Sequence, residues 1–363
     1  MKKINVLLND NSYQILIGSG ILSKLKELLK KYKLNKNILF IIDEKVMEYY
    51  GKRIIDEFYS YKGKINCYVV KQGEKSKSYI ELNKIYSFLL KNNYGRDSLI
   101  IAVGGGVTGD LAGYTAATYM RGIQLIHLPT TLLAMVDSSI GGKTGINFED
   151  KKNMIGAFYQ PKLVLIDTDF IETLPEREIT SGLGEVIKYT YMADNKFFLY
   201  VLENLEKAYK NDTKVLQNLI YNSAAIKAAV VSQDEKESGL RKVLNLGHTF
   251  AHSFETNLKF KIKHGEAVIA GVIAALFLSQ KTGFISEQDL KYFLSLPLKV
   301  KLPSQILEPG IEKLFKVMLH DKKNREGKIK FVLVSGLGKI IIDSEADKKA
   351  VSYAINEMKK SIH

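Results

Sequence analysis

The chain reads as an α/β domain built on a parallel sheet, followed by a mainly α-helical domain. Three observations predict this. Short apolar runs alternate with helix-period segments over about the first 170 residues, the pattern of strands joined by helices into a mostly parallel sheet. From about residue 178 onward the periodicity is mainly helical. A glycine-rich turn sits between a strand pattern and a helix pattern within the first part. The expected boundary gives residues 1–172 to the first domain and 173–363 to the second.

The elements follow in order. "INVLLN" and "YQILIG" alternate as a strand pair, and "ILSKLKELLKKY" has helical spacing of its apolar residues. "NILFIIDEKV" is a buried strand that ends in a polar turn at Asp43, and "KINCYVVKQG" is another strand. "YIELNKIYSFLLKNNY" is an amphipathic helix. "DSLIIAVGG" is a strand leading into glycines and a helix, and "IQLIHLPTT" and "KLVLIDTDF" are two further short apolar runs. Then come the helical segments "SGLGEVIKYTYM", "NKFFLYVLENLEKAYK", "KVLQNLIYNSAAIKAAVVSQDE", "GHTFAHSFETNL" and "GEAVIAGVIAALFLSQKTG". A strand pair, "KIKFVLVSG" and "GKIIID", precedes a last helix. No internal repeat and no low-complexity linker interrupts the order. A cleft between the two domains is the expected place for a ligand.

Composition narrows the function. The 363 residues are 46% hydrophobic, ample material for two cores. The one cysteine, Cys67, excludes a disulfide framework and a thiolate metal cluster, so any metal must take His, Asp or Glu. The start has two lysines and a short apolar run, but no long apolar region with a small-residue cleavage site. No segment approaches the ~20 apolar residues of a membrane span. A cytoplasmic protein is expected. The net charge of +14 raises nucleic acid as a partner, but the lysines are spread along helix faces and no aromatic-basic module accompanies them. An anionic small substrate needs only a few of these cations in one cleft.

"IIAVGGGVTGDLAGYTAATY" places Gly104, Gly106 and Gly109 in a GxGxxG spacing after a strand and before a helix. Such glycines let backbone N–H groups approach a pyrophosphate at a helix N-terminus, as in a Rossmann-like nucleotide domain. No acid follows at about twenty residues to hold a ribose. Asp43, at the end of an earlier strand, offers that partner instead, because carboxyl ends of neighbouring parallel strands line one crevice. "QGEKSKS" adds Glu74 and Lys77 at the same edge. "LPTTLLAMVDSSIGGKTGIN" and "DKKNMIGAFYQP" read as ligand-approaching loops, with Lys143, Lys152 and Asn153 suited to a phosphate or carboxylate.

Three of the six histidines fall within seventeen residues: His248, His252 and His264. His248 and His252 share a helix face at i and i+4. Thr249 stands where an HExxH zinc site would carry its general base. "GLGEVIKY" puts Glu185 and Lys188 three apart on another helix. A carboxylate with histidines suits Zn²⁺, and three protein ligands would leave a position open for chemistry. Spacing alone does not choose among the three histidines.

"GGGVTGDLAGYTAATYMRGI", "LPTTLLAMVDSSIGGKTGIN", "KNMIGAF", "GEVIK" and "LRKVLNLGHTFAHSFE…HGEAV" together resemble the 3-dehydroquinate synthase family of the shikimate pathway, one of the sugar-phosphate cyclases. The resemblance runs in unbroken order from about residue 40 to residue 330. Gly184 stands where the family usually has Ala, and Ala251 where Gly is usual. The resemblance implies a lyase converting 3-deoxy-D-arabino-heptulosonate 7-phosphate to 3-dehydroquinate and phosphate. It implies NAD, used and regenerated within each turnover, and Zn²⁺ or Co²⁺. It implies Glu185, His248 and His264 as metal ligands, with His252 left to contact substrate or handle a proton.

The same resemblance implies NAD contacts from Asp43, Glu74, Lys77, Gly105, Gly106, Asp110, Thr130, Thr131 and Asp137, with Lys143 and Lys152 at the border between cofactor and substrate. Arg121, Lys143, Lys152, Asn153 and Arg241 would hold phosphate and carboxylate, and Lys188, Lys227 and Asn245 the substrate's hydroxyls and carboxylate. One lysine of "DKKNREGKIK" would complete the phosphate grip. The substrate phosphate could itself serve as the base for its elimination. A homodimer is implied, and neither nucleic acid nor membrane. Two rival enzymes share this outline: another sugar-phosphate cyclase, and a glycerol-dehydrogenase-like polyol dehydrogenase. Arg241 fits a carboxylate and favours the dehydroquinate reading; the dehydrogenase would release NADH and would not need the phosphate-binding lysines.

Overall fold

A computed structural model describes residues 1–34, 37–149, 151–259, 261–319 and 329–362. The chain divides into two compact units, Met1–Leu174 with Leu216–Glu235, and Pro175–Val215 with Lys236–His363.

The first unit runs β1 (Lys2–Val6), β2 (Tyr13–Gly18), α1 (Leu25–Lys31), β3 (Ile38–Asp43), α2 (Glu44–Asp56), β4 (Ile65–Val70), α3 (Tyr79–Lys91), β5 (Leu99–Gly104), α4 (Gly106–Thr118), β6 (Gln124–Pro129), β7 (Lys143–Phe148), β8 (Lys151–Phe158) and β9 (Leu163–Asp167). Seven strands form one sheet in the order β1-β2-β9-β6-β5-β3-β4. Only the β1–β2 pair is antiparallel, and the other neighbours are parallel. β3 and β5 are buried at nearly every position, which is why they read as continuous apolar runs rather than alternating ones. Alternation still decides the faces. Leu39 and Ile41 of β3 and Ile100 and Ala102 of β5 pack with Leu82, Ile85 and Leu89 of α3 and Leu111, Ala112 and Ala116 of α4. Phe40, between them, meets Phe58 edge-to-face at 5.2 Å.

The chain leaves β3 for β4 on one side and leaves β5 for β6 on the other. The switch point therefore lies between β3 and β5, where open α/β sheets form a crevice at the strand ends. The sequence reading names no helix at α2, and in the other unit none at Glu287–Leu294 or Ile311–Leu319; residues 143–158 are the antiparallel hairpin β7–β8 rather than loops. Gly145 and Gly156 face each other across this hairpin, and the absence of side chains there hides its strand character from a periodicity count.

The helical unit holds α5 (Glu176–Thr190), α6 (Asn195–Tyr209), the first residues of α7 (Thr213–Gln233), α8 (His248–Asn257), α9 (His264–Lys281), α10 (Glu287–Leu294), α11 (Ile311–Leu319), the hairpin β10 (Lys330–Gly336) and β11 (Lys339–Glu345), and α12 (Lys348–Ser361). α9 is its centre. Every residue from Gly265 to Ser279 is buried, as a helix apolar on all sides requires. No described helix is long and apolar enough to cross a membrane. The sequence reading divided the chain after residue 172. By packing, Leu216–Glu235 groups with the sheet, so the division falls inside α7. A continuous helix carries no composition break at such a point.

His127 of β6 is buried against α4 at Gly109, where an added Cβ would stand 3.6 Å from its Nδ1. Burial pushes its pKa down from 6.5 to about 4. The unfolded chain protonates this ring near 6.5, and the folded chain resists until about 4. The stability it contributes is thus complete above 6.5 and is lost as pH falls towards 4, by up to about 3 kcal/mol. Urea unfolding across this range should show a shallower loss in His127→Gln than in the parent chain. Equal pH slopes would contradict the assignment.

Candidate active site

At the carboxyl ends of β3 to β6 the first unit gathers most of the expected cofactor residues. Asp43 closes β3 and caps α2 through Lys45 N–H at 2.9 Å. It lies beside Gly104, where an added Cβ would stand 3.1 Å from Asp43 Cβ. Gly105 caps α4 and faces Thr131: a Cβ there would meet Cγ2 at 3.1 Å. At Gly106 it would meet Ser138 Oγ at 3.1 Å. This leaves a close-walled turn at a helix N-terminus, where N–H groups suit an anion. Thr130 is buried, and its N–H donates to the Gly104 carbonyl at 3.0 Å.

Lys77 organises the neighbouring edge. Its buried ammonium forms an ion pair with Asp110 and donates to Asn153 Oδ1. Burial pushes the Asp110 carboxyl above the usual range, and the Lys77 ammonium pulls it back. Asn147, which sequence reasoning missed, ties the hairpin to this edge. Its Nδ2 donates to Glu74 Oε1 at 2.8 Å, its N–H to the Lys77 carbonyl at 2.9 Å, and its Oδ1 accepts from Asn153 N–H at 3.0 Å. Its clue in the sequence was only a polar residue at the end of an apolar frame. Asn153 adopts φ +55°, a left-handed geometry that Asn tolerates better than most residues.

Lys227, expected in the helical domain, lies in the sheet unit. Its ammonium donates to the Asp137 carboxylate and to the Asp137 carbonyl, both at 2.8 Å. Lys152 adjoins Asn153 on β8. Lys143 opens β7, paired with Phe158 at the end of the hairpin away from its turn. Arg121 is exposed beyond the far end of α4, about 20 Å along that helix from Gly106. Arg121 does not reach this crevice within the chain, because a residue after α4 emerges at the opposite end of the parallel strands.

The helical unit assembles the second constellation. Glu185 of α5, His248 of α8 and His264 of α9 present ligand atoms all within 4.8 Å of one another. His264 Nε2 is 3.2 Å and His248 Nε2 3.6 Å from Glu185 Oε1. His252 stays outside this group, its ring 5.5 Å from that of His248. Lys188 is buried one turn after Glu185 and forms an ion pair with Oε2, though without hydrogen-bond geometry, so that oxygen has no hydrogen-bond partner. Burial opposes charge on His264, but the Glu185 and Glu255 carboxylates outweigh it and push the pKa up to about 10. Two carboxylates around one imidazole favour a positive charge at this cluster. One carboxylate oxygen, Oε1, faced by two imidazole nitrogens that converge with it fits a divalent cation.

Arg241 is buried in a 3₁₀ turn, Leu240–Asn245, which also carries Asn245, whose Nδ2 donates to Glu237 Oε1 at 2.9 Å. Of the "DKKNREGKIK" lysines, Lys330 lies on β10, and the others lie outside the described residues.

A parallel-sheet unit with a glycine-walled crevice and a helical unit with a Glu–His–His cluster define a class of two-part enzymes. The structure superposes on 2-deoxy-scyllo-inosose synthase, solved with carbaglucose-6-phosphate, NAD⁺ and Co²⁺, with a TM-score of 0.88 and 25% identity over 98% of this chain and 99% of that one. It also shares its fold with glycerol dehydrogenase from Schizosaccharomyces pombe, at a TM-score of 0.70 and 18% identity over 96% and 89% of the chains. Residues 67–181 match the model of the 3-dehydroquinate synthase N-terminal region, and residues 182–324 that of the C-terminal region. The 3-dehydroquinate synthase of Alkaliphilus metalliredigens (strain QYMF) is 43% identical over 342 residues, 94% of either chain. The chain belongs to the 3-dehydroquinate synthase family.

The cluster depends on how closely its helices approach. An added Cβ at Gly265 would stand 1.8 Å from the Ser181 carbonyl oxygen of α5. Gly265→Ala should therefore cost at least about 1–3 kcal/mol. It should also weaken Zn²⁺ binding, because His264 is the adjacent residue. Gly310→Ala, with nothing within 4 Å, is the control. Melting and equilibrium dialysis of both variants test this. Parent-like values for Gly265→Ala would show that the contact yields without cost.

Proposed function

We propose that the chain converts 3-deoxy-D-arabino-heptulosonate 7-phosphate to 3-dehydroquinate and phosphate, by transient oxidation, phosphate elimination, re-reduction and intramolecular aldol closure. The observation that carries the reading is the convergence of Glu185, His248 and His264, with Lys188 beside them, in a chain of this family. We assign these three residues to a divalent cation, Zn²⁺ or Co²⁺, and the crevice of the sheet unit to NAD⁺. When bound, the dinucleotide accepts and returns a hydride, and the cation polarises the hydroxyls at the reacting carbons.

The chain's own groups bind and orient. Asp43 offers a carboxylate to a ribose hydroxyl, and the N–H groups at Gly105 and Gly106 face a pyrophosphate. Lys77 keeps Asp110 and Asn153 in one arrangement, which Asn147 extends to Glu74. Thr130, Thr131 and Asp137 complete the cofactor contacts. Lys152 and Asn153 grip phosphate, and Lys227 orients the substrate from its pairing with Asp137. In the helical unit, Arg241 holds carboxylate, and Lys188 and Asn245 hold the oxygens of the carbon chain. His252 is free of ligand duty and suited to move a proton at a substrate hydroxyl. Burial of Lys188 and Arg241 strengthens each contact, because little water screens them. Lys143 joins Lys152 and Asn153 toward phosphate, and the same reading includes a homodimer, to which we assign the role of Arg121, and a cytoplasmic site of action.

The test is phosphate release from the heptulosonate phosphate with catalytic NAD⁺, with absorbance followed for NADH. Release that a chelator abolishes, without NADH accumulating, is expected. Steady NADH from glycerol or another polyol with no phosphate release would establish a dehydrogenase instead. His264→Ala should lose bound cation and activity together, whereas His252→Ala should keep the cation by metal analysis. A cation-free His252→Ala would overturn the ligand assignment. Asn147→Ala should raise the NAD⁺ concentration needed for half-maximal rate by roughly tenfold, the scale of two lost hydrogen bonds. An unchanged requirement would remove Asn147 from the cofactor edge.

A further inference from the structure

We propose that Glu255 is a positioning residue of the cation site, holding His264 through Nδ1 so that Nε2 points at the place shared with Glu185 and His248. The inference rests on reading that triad as a cation site.

The geometry is two-sided. Glu255 is buried, 4% exposed, and its Oε2 lies 3.5 Å from His264 Nδ1. The other ring nitrogen, Nε2, lies 3.2 Å from Glu185 Oε1. The imidazole is thus spanned by two carboxylates, one on each nitrogen. A carboxylate facing Nδ1 accepts from an N–H there, which keeps the proton on Nδ1 and leaves the Nε2 lone pair for a cation. His248 is arranged alike by a different group: its Nδ1 is 3.2 Å from the Leu246 carbonyl oxygen, and its Nε2 faces Glu185. A carbonyl only accepts, so the proton again belongs on Nδ1. Both rings therefore offer Nε2 to the same carboxylate.

The placement of Glu255 explains why His264 needs it. His248 receives its partner from the turn just before its own helix. His264 is the first residue of α9, and its anchor comes from the preceding helix instead. Glu255 lies seven residues after His248 on α8, two turns along the same face. One face of α8 therefore supplies a proposed ligand of its own and the guide for the ligand on α9. The charge of Glu255 also makes the ring a better donor to a cation than a neutral acceptor would.

The test compares Zn²⁺ affinity, by chelator competition, for the parent chain, Glu255→Gln and Glu255→Ala, with thermal melting of each cation-free chain. Removing such a partner should weaken binding roughly 10- to 100-fold in Glu255→Ala. Glu255→Gln, whose amide oxygen can still accept from Nδ1, should fall between Ala and the parent. A purely structural role would lower melting temperature without that graded order. In the parent chain, ¹⁵N-histidine NMR with Zn²⁺ bound should show His264 coordinated through Nε2 and protonated at Nδ1, assigned against His264→Gln. Parent-like affinity in folded Gln and Ala variants would overturn the proposal, and so would coordination of His264 through Nδ1, even if the variants fail to fold. A parent chain that binds no Zn²⁺ would instead overturn the cation-site reading on which this rests.

Discussion

The helical unit depends on backbone approaching backbone. Gly265 of α9 meets Ser181 of α5, Gly184 of α5 meets the Gly265 carbonyl, and Gly271 of α9 meets the Gly247 carbonyl ahead of α8. An added Cβ at Gly184 or Gly271 would stand 2.3 Å or 2.2 Å from those oxygens. Each residue of the triad is the chain neighbour of one of these glycines: Glu185 follows Gly184, His248 follows Gly247, and His264 precedes Gly265. The contacts that bring the helices close are therefore the contacts that bring the ligand atoms close. Gly184 has no room for a methyl group unless α5 and α9 move apart.

The start of α9 is fixed by charge as well. Glu266 is buried in its first turn, where it accepts from Arg177 through two bonds, at 2.6 and 2.9 Å, and from Lys263 N–H at 2.7 Å. A bidentate guanidinium–carboxylate pair has a defined orientation. It sets the first turn of the helix that carries His264, while the buried length of α9 sets the rest.

In the sheet unit the comparable constraint is a buried ammonium. Lys77 must be compensated, and Asp110 and Asn153 do this from α4 and from β8. Satisfying one charge joins a strand end, a helix and the hairpin into one edge. That is why a segment resembling two glycine-rich loops is an ordered hairpin, and why Asn153 accepts a left-handed backbone.

The sequence by itself determined most of the order of strands and helices, the glycine turn before α4, and the pairing of a carboxylate with histidines as metal-type chemistry. These rest on local periodicity and on side-chain type, which a linear chain displays. The family resemblance then separated His252 from the ligand histidines, a choice that spacing left open. Tertiary structure decided the rest. It gave Lys227 to the sheet unit through Asp137, set Arg121 at the far end of the strands, and brought Asn147 and Glu255 to their sites. Each of those outcomes depends on which end of a helix or strand meets which neighbour. That is fixed by packing between residues distant in sequence, such as Asn147 with Glu74 and Lys227 with Asp137, and no local pattern encodes it.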